Sequence, residues 1–430
     1  MKPFQIIVIG SFAASAVIGL IVFSAFSGFS GKKDSVGTVV IWGTLPQRVV
    51  ADTIQGLTAT EGDRFKGVTY IEKRADTFAQ ETIEAIAVGT GPDLIILPHD
   101  LILRLSGALY EIPASSYPPR TFRDAFADGT DIFLTDTGTY AIPVAINPLI
   151  MYWNRPLLGS AGVSAPPQYW EQLGALVPLV TKVDDAQNIT KSAVALGEYA
   201  NITNAYGILS TILFQSGNMI TARERGMMRS VLDHRDTSRI SSAETALRFY
   251  TNFSNPVQSL YSWNRSLRPS QQTFLAGDLA LYFGMANEHA FLRSSNPNLS
   301  FDVAQIPQPQ IVPTKVTYGT MYGFAIIKNS QNLLGAYTTA LSLAEPGPAE
   351  NIAKKSGMAP ARRSLLGIQQ TDPYVSVVYT GALIARGWLS PDPTRANDVL
   401  RNLVEGTISG RYRPAEAVLN AHRTLGELLQ

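Results

Sequence analysis

The chain has 430 residues, 45% of them hydrophobic, with a formal net charge of +1 and no cysteine. That length exceeds one ordinary core and points to two lobes of roughly 150 to 200 residues each. Near-zero charge supplies neither a basic field for nucleic acid nor an acidic one for cations, and the missing cysteine removes disulfides, thiolate catalysis, thiolate metal sites and lipid attachment through cysteine.

No residue from Pro3 to Gly31 is charged. The run IIVIGSFAASAVIGLIVFSAF is long enough for a hydrocarbon core that takes about 20 helical residues, so residues 1–31 are read as an N-terminal transmembrane helix or signal segment, followed by a short linker, 32–37. Lys2 precedes the run and Lys32 and Lys33 follow it, so the flanking charges do not orient it. An apolar N-terminus ahead of one large region places that region outside the cytoplasm, as a single-pass protein of the cell membrane. A cleaved signal peptide is the alternative.

TVVIWG reads as a buried first strand, and LPQRVVADTIQGLTATEG as a helix with Pro46 as its starter. GVTYIEKR is a second strand, TFAQETIEAIAVG a helix closed by Gly89, and PDLIILP a third strand. Strand, helix, strand, helix, strand means a parallel sheet covered by helices, an α/β lobe. Ligands bind beyond the carboxyl ends of such strands, where this chain places Pro98, His99 and Asp100. Asp100 reads equally as a ligand contact or as the N-cap of the helix LILRLSGALYEI, and His99 as a solvated loop histidine.

YAIPVAIN and LIMYWN are two extended pieces separated by Asn147–Pro148, and Ala145 to Pro148 reads as a hinge where the chain leaves one sheet for another. Residues 150–300 supply a mostly helical second lobe with short strands such as LALYFG. FDVAQIPQP turns back, YGFAIIKNS is another strand and NLLGAYTTALSLA another helix. No long-period repeat recurs.

Motifs for catalysis are missing: there is no G-x-S-x-G, H-E-x-x-H, G-x-x-x-x-G-K-[ST] or G-x-G-x-x-G. His99, His234, His289 and His422 are far apart, and DGTDIFLTDTG lacks the order of a calcium loop and reads as turns. No cofactor and no metal is expected.

The ordered set VVIWG, IAVGTGPDLIILPHD, SGALYEIP, GTYAIPVAINPLIMYWN, AGVSAPPQYWEQL, FLAGDLALYFG, FDVAQIPQP, YGFAIIKNSQN and SGMAPARRSLL resembles the family 1 extracellular solute-binding proteins of ABC importers, which include maltodextrin and other sugar binders. The resemblance implies a two-lobed, type II periplasmic-binding-protein-like fold that closes on a ligand and is no enzyme. It assigns 38–144 and 307–343 to an N-terminal lobe, and 145–306 and 344–430 to a C-terminal lobe. It implies ligand contacts at Gly43 and Thr44, at Pro98, His99 and Asp100, at Asn147, in the loop from Glu198 to Asn204, and in the turn from Tyr318 to Tyr322. Where many sugar-binding members carry a tryptophan, this chain has Ala286-Asn287-Glu288.

A sugar presents hydroxyls that want polar partners and C–H faces that want flat rings. Asp100, Asn147, Asn201, Asn204 and Asn287 suit the first need. Trp42, Tyr206, Trp263, Tyr322 and Trp388 suit the second, with Trp42 and Trp388 read as core and Trp263, in the polar YSWNRS, as a surface or cleft residue. The function expected is an extracellular receptor that delivers a carbohydrate or related polar solute to ABC permease subunits, with no nucleic-acid partner. The alternatives are an envelope-associated glycan-active enzyme, for which Glu198 and Asp100 are the only carboxylates to nominate, and a sensory or adhesive ectodomain of the same fold.

Overall fold

The computed structural model describes residues 35–430 apart from 187, 225, 235–240 and 313. The expected transmembrane segment, 1–31, and the first part of the linker lie outside the described residues, and no helix among the described residues is long and apolar enough to cross a membrane.

Three parallel strands open the N-terminal lobe. Val39–Gly43 pairs with Val68–Glu72 on one side and Leu94–Pro98 on the other, with helices Gln47–Glu61 and Phe78–Ala87 as the crossovers. Pro46 stands at the N-cap of the first helix, and Gly89 follows the second in the left-handed conformation, φ 77°, which glycine adopts without steric penalty. Leu94 to Leu97 are all buried because the strand is covered on both faces.

Ile142–Asn154 is one continuous strand of 13 residues, where the sequence suggested two pieces split at Asn147–Pro148. What changes there is the partner. Up to Pro148 the strand pairs with the antiparallel return strand Thr317–Ile326. From Leu149 it pairs with Leu279–Met285, and Met151 to Asn154 pair with Phe301–Ala304 on the other side. Pro148, with no N–H to offer a ladder, falls at that change. One sheet of eleven strands therefore runs through both lobes, in the order Val68–Glu72, Val39–Gly43, Leu94–Pro98, Thr317–Ile326, Ile142–Asn154, Leu279–Met285, Ile189–Val194, Lys182–Val183, with three short strands at its side.

Specific contacts fix two of the connections between strands and helices. Gln215, buried on the C-terminal lobe helix Ala205–Gln215, donates to both Pro307 O and Val316 O at 3.0 Å, which holds the connection on that lobe until the return strand starts at Thr317. Helix Pro346–Lys355 packs on Gln47–Glu61, with Asn351 donating to Thr53 Oγ1 at 2.9 Å, and Ala359–Pro360 pairs with Ala145–Ile146. The buried face Ala349, Ile352, Ala353 finds its apolar partner on the N-terminal lobe. Helix Pro393–Ile408 packs on Ala205–Gln215 and Ser242–Thr251, and helix Pro414–Leu428 packs on Ser242–Thr251.

Candidate functional site

Side chains alternate across a strand, so the return strand turns Tyr318, Thr320 and Tyr322 to one face and Gly319, Met321 and Gly323 to the other. Asn147 is paired with Thr320 and shares the first face. Onto the return strand folds the turn at the end of Leu94–Pro98. Met321 N–H donates to His99 Nδ1 at 3.2 Å, and the His99 ring lies 6.2 Å from that of Tyr318. The other lobe contributes the start of helix Ala205–Gln215. Gly207 lets this helix approach closely, since a Cβ there would stand 2.9 Å from the Tyr318 ring. Tyr206 meets Tyr318 edge-on at 5.8 Å and stacks on Trp388 at 5.4 Å and 18°. Tyrosines from the return strand and from the start of helix Ala205–Gln215 thus come close enough to feel the Asp100 charge.

Asp100 has an unusual setting. Its Oδ1 is shut off from solvent with no hydrogen-bond partner, and burial pushes its carboxyl up to about 6. No cation is among the groups acting on it. The Tyr206, Tyr318 and Tyr322 hydroxyls are held well above their ordinary value, by burial first and by the Asp100 charge among the lesser causes, so they remain neutral donors. His99 is fully buried, against the expectation of a solvated loop histidine, because it packs between Met321 and Gly387. Burial pushes it down to about 3. A neutral imidazole that accepts at Nδ1 carries its proton on Nε2, and that nitrogen too lacks a partner. Asp100 is not the helix N-cap: it sits inside the 3₁₀ turn His99–Leu101, whose cap is Pro98.

A second cluster lies at the end of Leu279–Met285. Asn147 Oδ1 accepts from Asn287 N–H at 3.2 Å, and the Asn287 side chain is exposed. The turn beneath is clamped by Glu288, which accepts from Asn204, Gln271 and Met285 N–H at 2.7 Å each and from the Tyr282 hydroxyl. Asn204 itself is left-handed, φ 63°.

Other expected contacts lie elsewhere. Gly43 is buried at its strand end, where a Cβ would stand 2.9 Å from Ile96, and Thr44 and Pro98 are half-buried beside it and at the end of the third strand. Glu198 is buried and paired with Arg265 at 3.4 Å. Asn201 is spent on structure, donating to Asn264 O and Leu267 O and accepting from Trp263 Nε1 at 3.1 Å. Trp263 is 0% exposed. The polar stretch around it wraps over the ring, and its N–H is satisfied by Asn201, so the surface or cleft placement is corrected to the core. Nothing joins Glu198 to Asp100: the first answers to Arg265 and Glu405, the second to three tyrosines. Tyr206 and Trp388 matter more than sequence spacing suggested, because they are distant in the chain and meet only in the fold. No group of three or more His, Asp or Glu residues among the described residues could hold a metal ion.

No protein-family model matches the chain. Over 104 residues it is 29% identical to proteins of Brucella abortus (strain 2308) and Brucella suis biovar 1 (strain 1330), each named only as a candidate binding protein. The match spans 23% of this chain and about a quarter, 25%, of theirs. Among solved structures the chain is similar to a cyclo/maltodextrin-binding protein complexed with maltotetraose, with TM-score 0.73 and 15% identity over 94% of this chain and 99% of that one. It is also similar to the GacH receptor of Streptomyces glaucescens GLA.O, studied with acarbose, with TM-score 0.69 and 17% identity over 91% and 98%. An ABC substrate-binding protein of Listeria monocytogenes in complex with cycloalternan gives TM-score 0.68 and 15% identity over 92% and 99%. This likeness establishes the class of fold: two α/β lobes of the periplasmic-binding-protein kind.

Proposed function

We propose that the chain is the solute-binding receptor of an ABC import system and closes its two lobes on a neutral polar solute of the carbohydrate class. The observation that carries this reading is Asp100 Oδ1, shut off from solvent with no hydrogen-bond partner and close enough to Tyr206, Tyr318 and Tyr322 for its charge to act on their hydroxyls. A buried acceptor without a partner is costly, and a ligand hydroxyl supplies the missing donor, while the rings offer apolar faces for C–H surfaces. No cation acts on Asp100, so an anionic solute has nothing to offset its desolvation. The oligosaccharide and acarbose ligands named for the similar structures support the same class. The apolar stretch within 1–31 serves as the anchor that keeps the lobes at the membrane, where a permease takes the solute.

The test is a thermal-shift screen of the purified chain against mono- and oligosaccharides, polyols, short peptides and phosphorylated metabolites. A ligand stabilises in proportion to the logarithm of its excess over Kd, so a sugar should stand out, uncleaved on incubation. Asp100→Ala should then weaken it by about 5- to 150-fold, the equivalent of about 1 to 3 kcal/mol. Shifts with peptides or phosphorylated compounds alone would refute the carbohydrate class.

A further inference from the structure

The turn carrying His99 and Asp100 runs directly into the short helix Ile102–Leu105, and Arg104 on that helix reaches across to the other lobe. Its Nη1 lies 3.1 Å from Asp392 Oδ2. Asp392 is the N-cap of Pro393–Ile408, and its Oδ1 accepts from Arg395 N–H at 3.0 Å. That helix packs on Ala205–Gln215 and Ser242–Thr251, so Asp392 moves with the C-terminal lobe. One carboxylate therefore does two things: one oxygen starts a helix, the other holds the opposite lobe. The side chains are only 31% and 24% exposed, so water screens the pair less than it screens most surface ion pairs. Along the chain, Arg104 follows Asp100 by four residues and Asp392 follows Trp388 by four.

We propose that Arg104 and Asp392 are positioning residues whose ion pair latches the lobes closed over Asp100. The ligand-free chain then populates the closed arrangement without a solute, and a bound solute leaves only when the latch parts. The consequence for solute release rests on the receptor reading above; the consequence for lobe closure does not. Neither residue needs to touch the ligand. Arg104 acts through the turn that presents Asp100, and Asp392 through the segment that presents Trp388. Parting a pair of this exposure shifts an equilibrium by up to about five-fold.

The chain contains no cysteine, so Val88→Cys and Val257→Cys, at positions 74% and 84% exposed on opposite lobes, accept spin labels without background. Distances between them, measured by pulsed electron paramagnetic resonance on the ligand-free full chain, report the fraction open. Asp392→Asn removes the charge and keeps a good N-cap, and Arg104→Gln removes the other partner. Each variant should raise the open population by up to about five-fold, and the double variant no further, because both remove one interaction. Added salt should open the wild type and leave the double variant unchanged. Solute dissociation should quicken by a similar factor. If the variants keep the wild-type distance distribution and its salt response while melting normally, the latch is refuted whatever the ligand is. If the distances respond as expected and no polar solute binds, the latch stands and the receptor reading falls.

Discussion

His99 is buried, the adjacent Asp100 is half-buried with its Oδ1 shut off from solvent, and the two are shifted in opposite directions, which has a consequence for stability against pH. Unfolded, they titrate near their ordinary values of about 6.5 and 3.9. Folded Asp100 titrates at about 6, so between pH 4 and 6 the folded chain holds a proton that the unfolded chain has released, and stability falls as pH rises through that window. Folded His99 titrates at about 3, so between pH 6.5 and 3 the unfolded chain holds the extra proton, and stability falls as pH drops. The two slopes cancel over the shared range of roughly pH 4 to 6. Melting temperatures taken relative to wild type should separate them. Asp100→Asn should gain on the wild type as pH climbs from about 4 to 6, and His99→Gln should lose ground as pH climbs from about 3 to 6.5. Flat difference curves would mean that neither group is as enclosed as described. Gly387→Ala belongs to the same account. Its Cβ would collide with His99 Nε2, so the ring must shift and the bond from Met321 N–H weakens, a loss of about 1 to 3 kcal/mol readable from the urea midpoint.

At the scale of elements, the clamp on the turn after Leu279–Met285 decides how Asn287 is presented. Asn204 joins helix Ala205–Gln215 to that turn through Glu288 at 2.7 Å and does so in a conformation that costs most residues about 1 kcal/mol or more. Asn204→Ala should therefore destabilise by about 1 to 3 kcal/mol. Asn204→Gly should cost less, because glycine restores the backbone freedom and loses only the amide. Equal losses in the two variants, measured by urea unfolding, would show that the backbone term is absent. Gln215 offers a companion test. Gln215→Leu leaves Pro307 O and Val316 O without the donor that holds the connection to the C-terminal lobe, and about 1 to 3 kcal/mol should be lost. Such side chains were unreadable in the sequence. Gln215 lies on a helix whose other residues are mostly apolar, and its two acceptors come from a segment about 100 residues away.

At the scale of the whole molecule, the sheet passes unbroken from one lobe to the other along Ile142–Asn154, so closure should be a rotation about this strand and the return strand, where the ladders change partner at Pro148 and Leu149. Small-angle scattering should show saturating solute compacting the fraction of molecules that the ligand-free chain leaves open, most clearly in Asp392→Asn, and an unchanged radius in that variant would count against closure. The sequence by itself determined the local order of this protein. Apolar runs, prolines and glycines marked the three parallel strands and their helices, the return strand, and the polar turn Pro98-His99-Asp100 beyond a strand end, because periodicity and turn chemistry act over a few residues. Tertiary structure alone decided which polar groups are paired. Asn201 and Trp263 looked free and satisfy each other in the core, while His99 looked solvated and is enclosed, and His99 Nε2 and Asp100 Oδ1 are shut off from solvent without a partner. It also decided that Gln215 meets Pro307 O and Val316 O and that helix Pro346–Lys355 packs on Gln47–Glu61. Burial and partnership depend on contacts between segments far apart in the chain, and the free energy of a polar side chain depends on which of those segments closes over it.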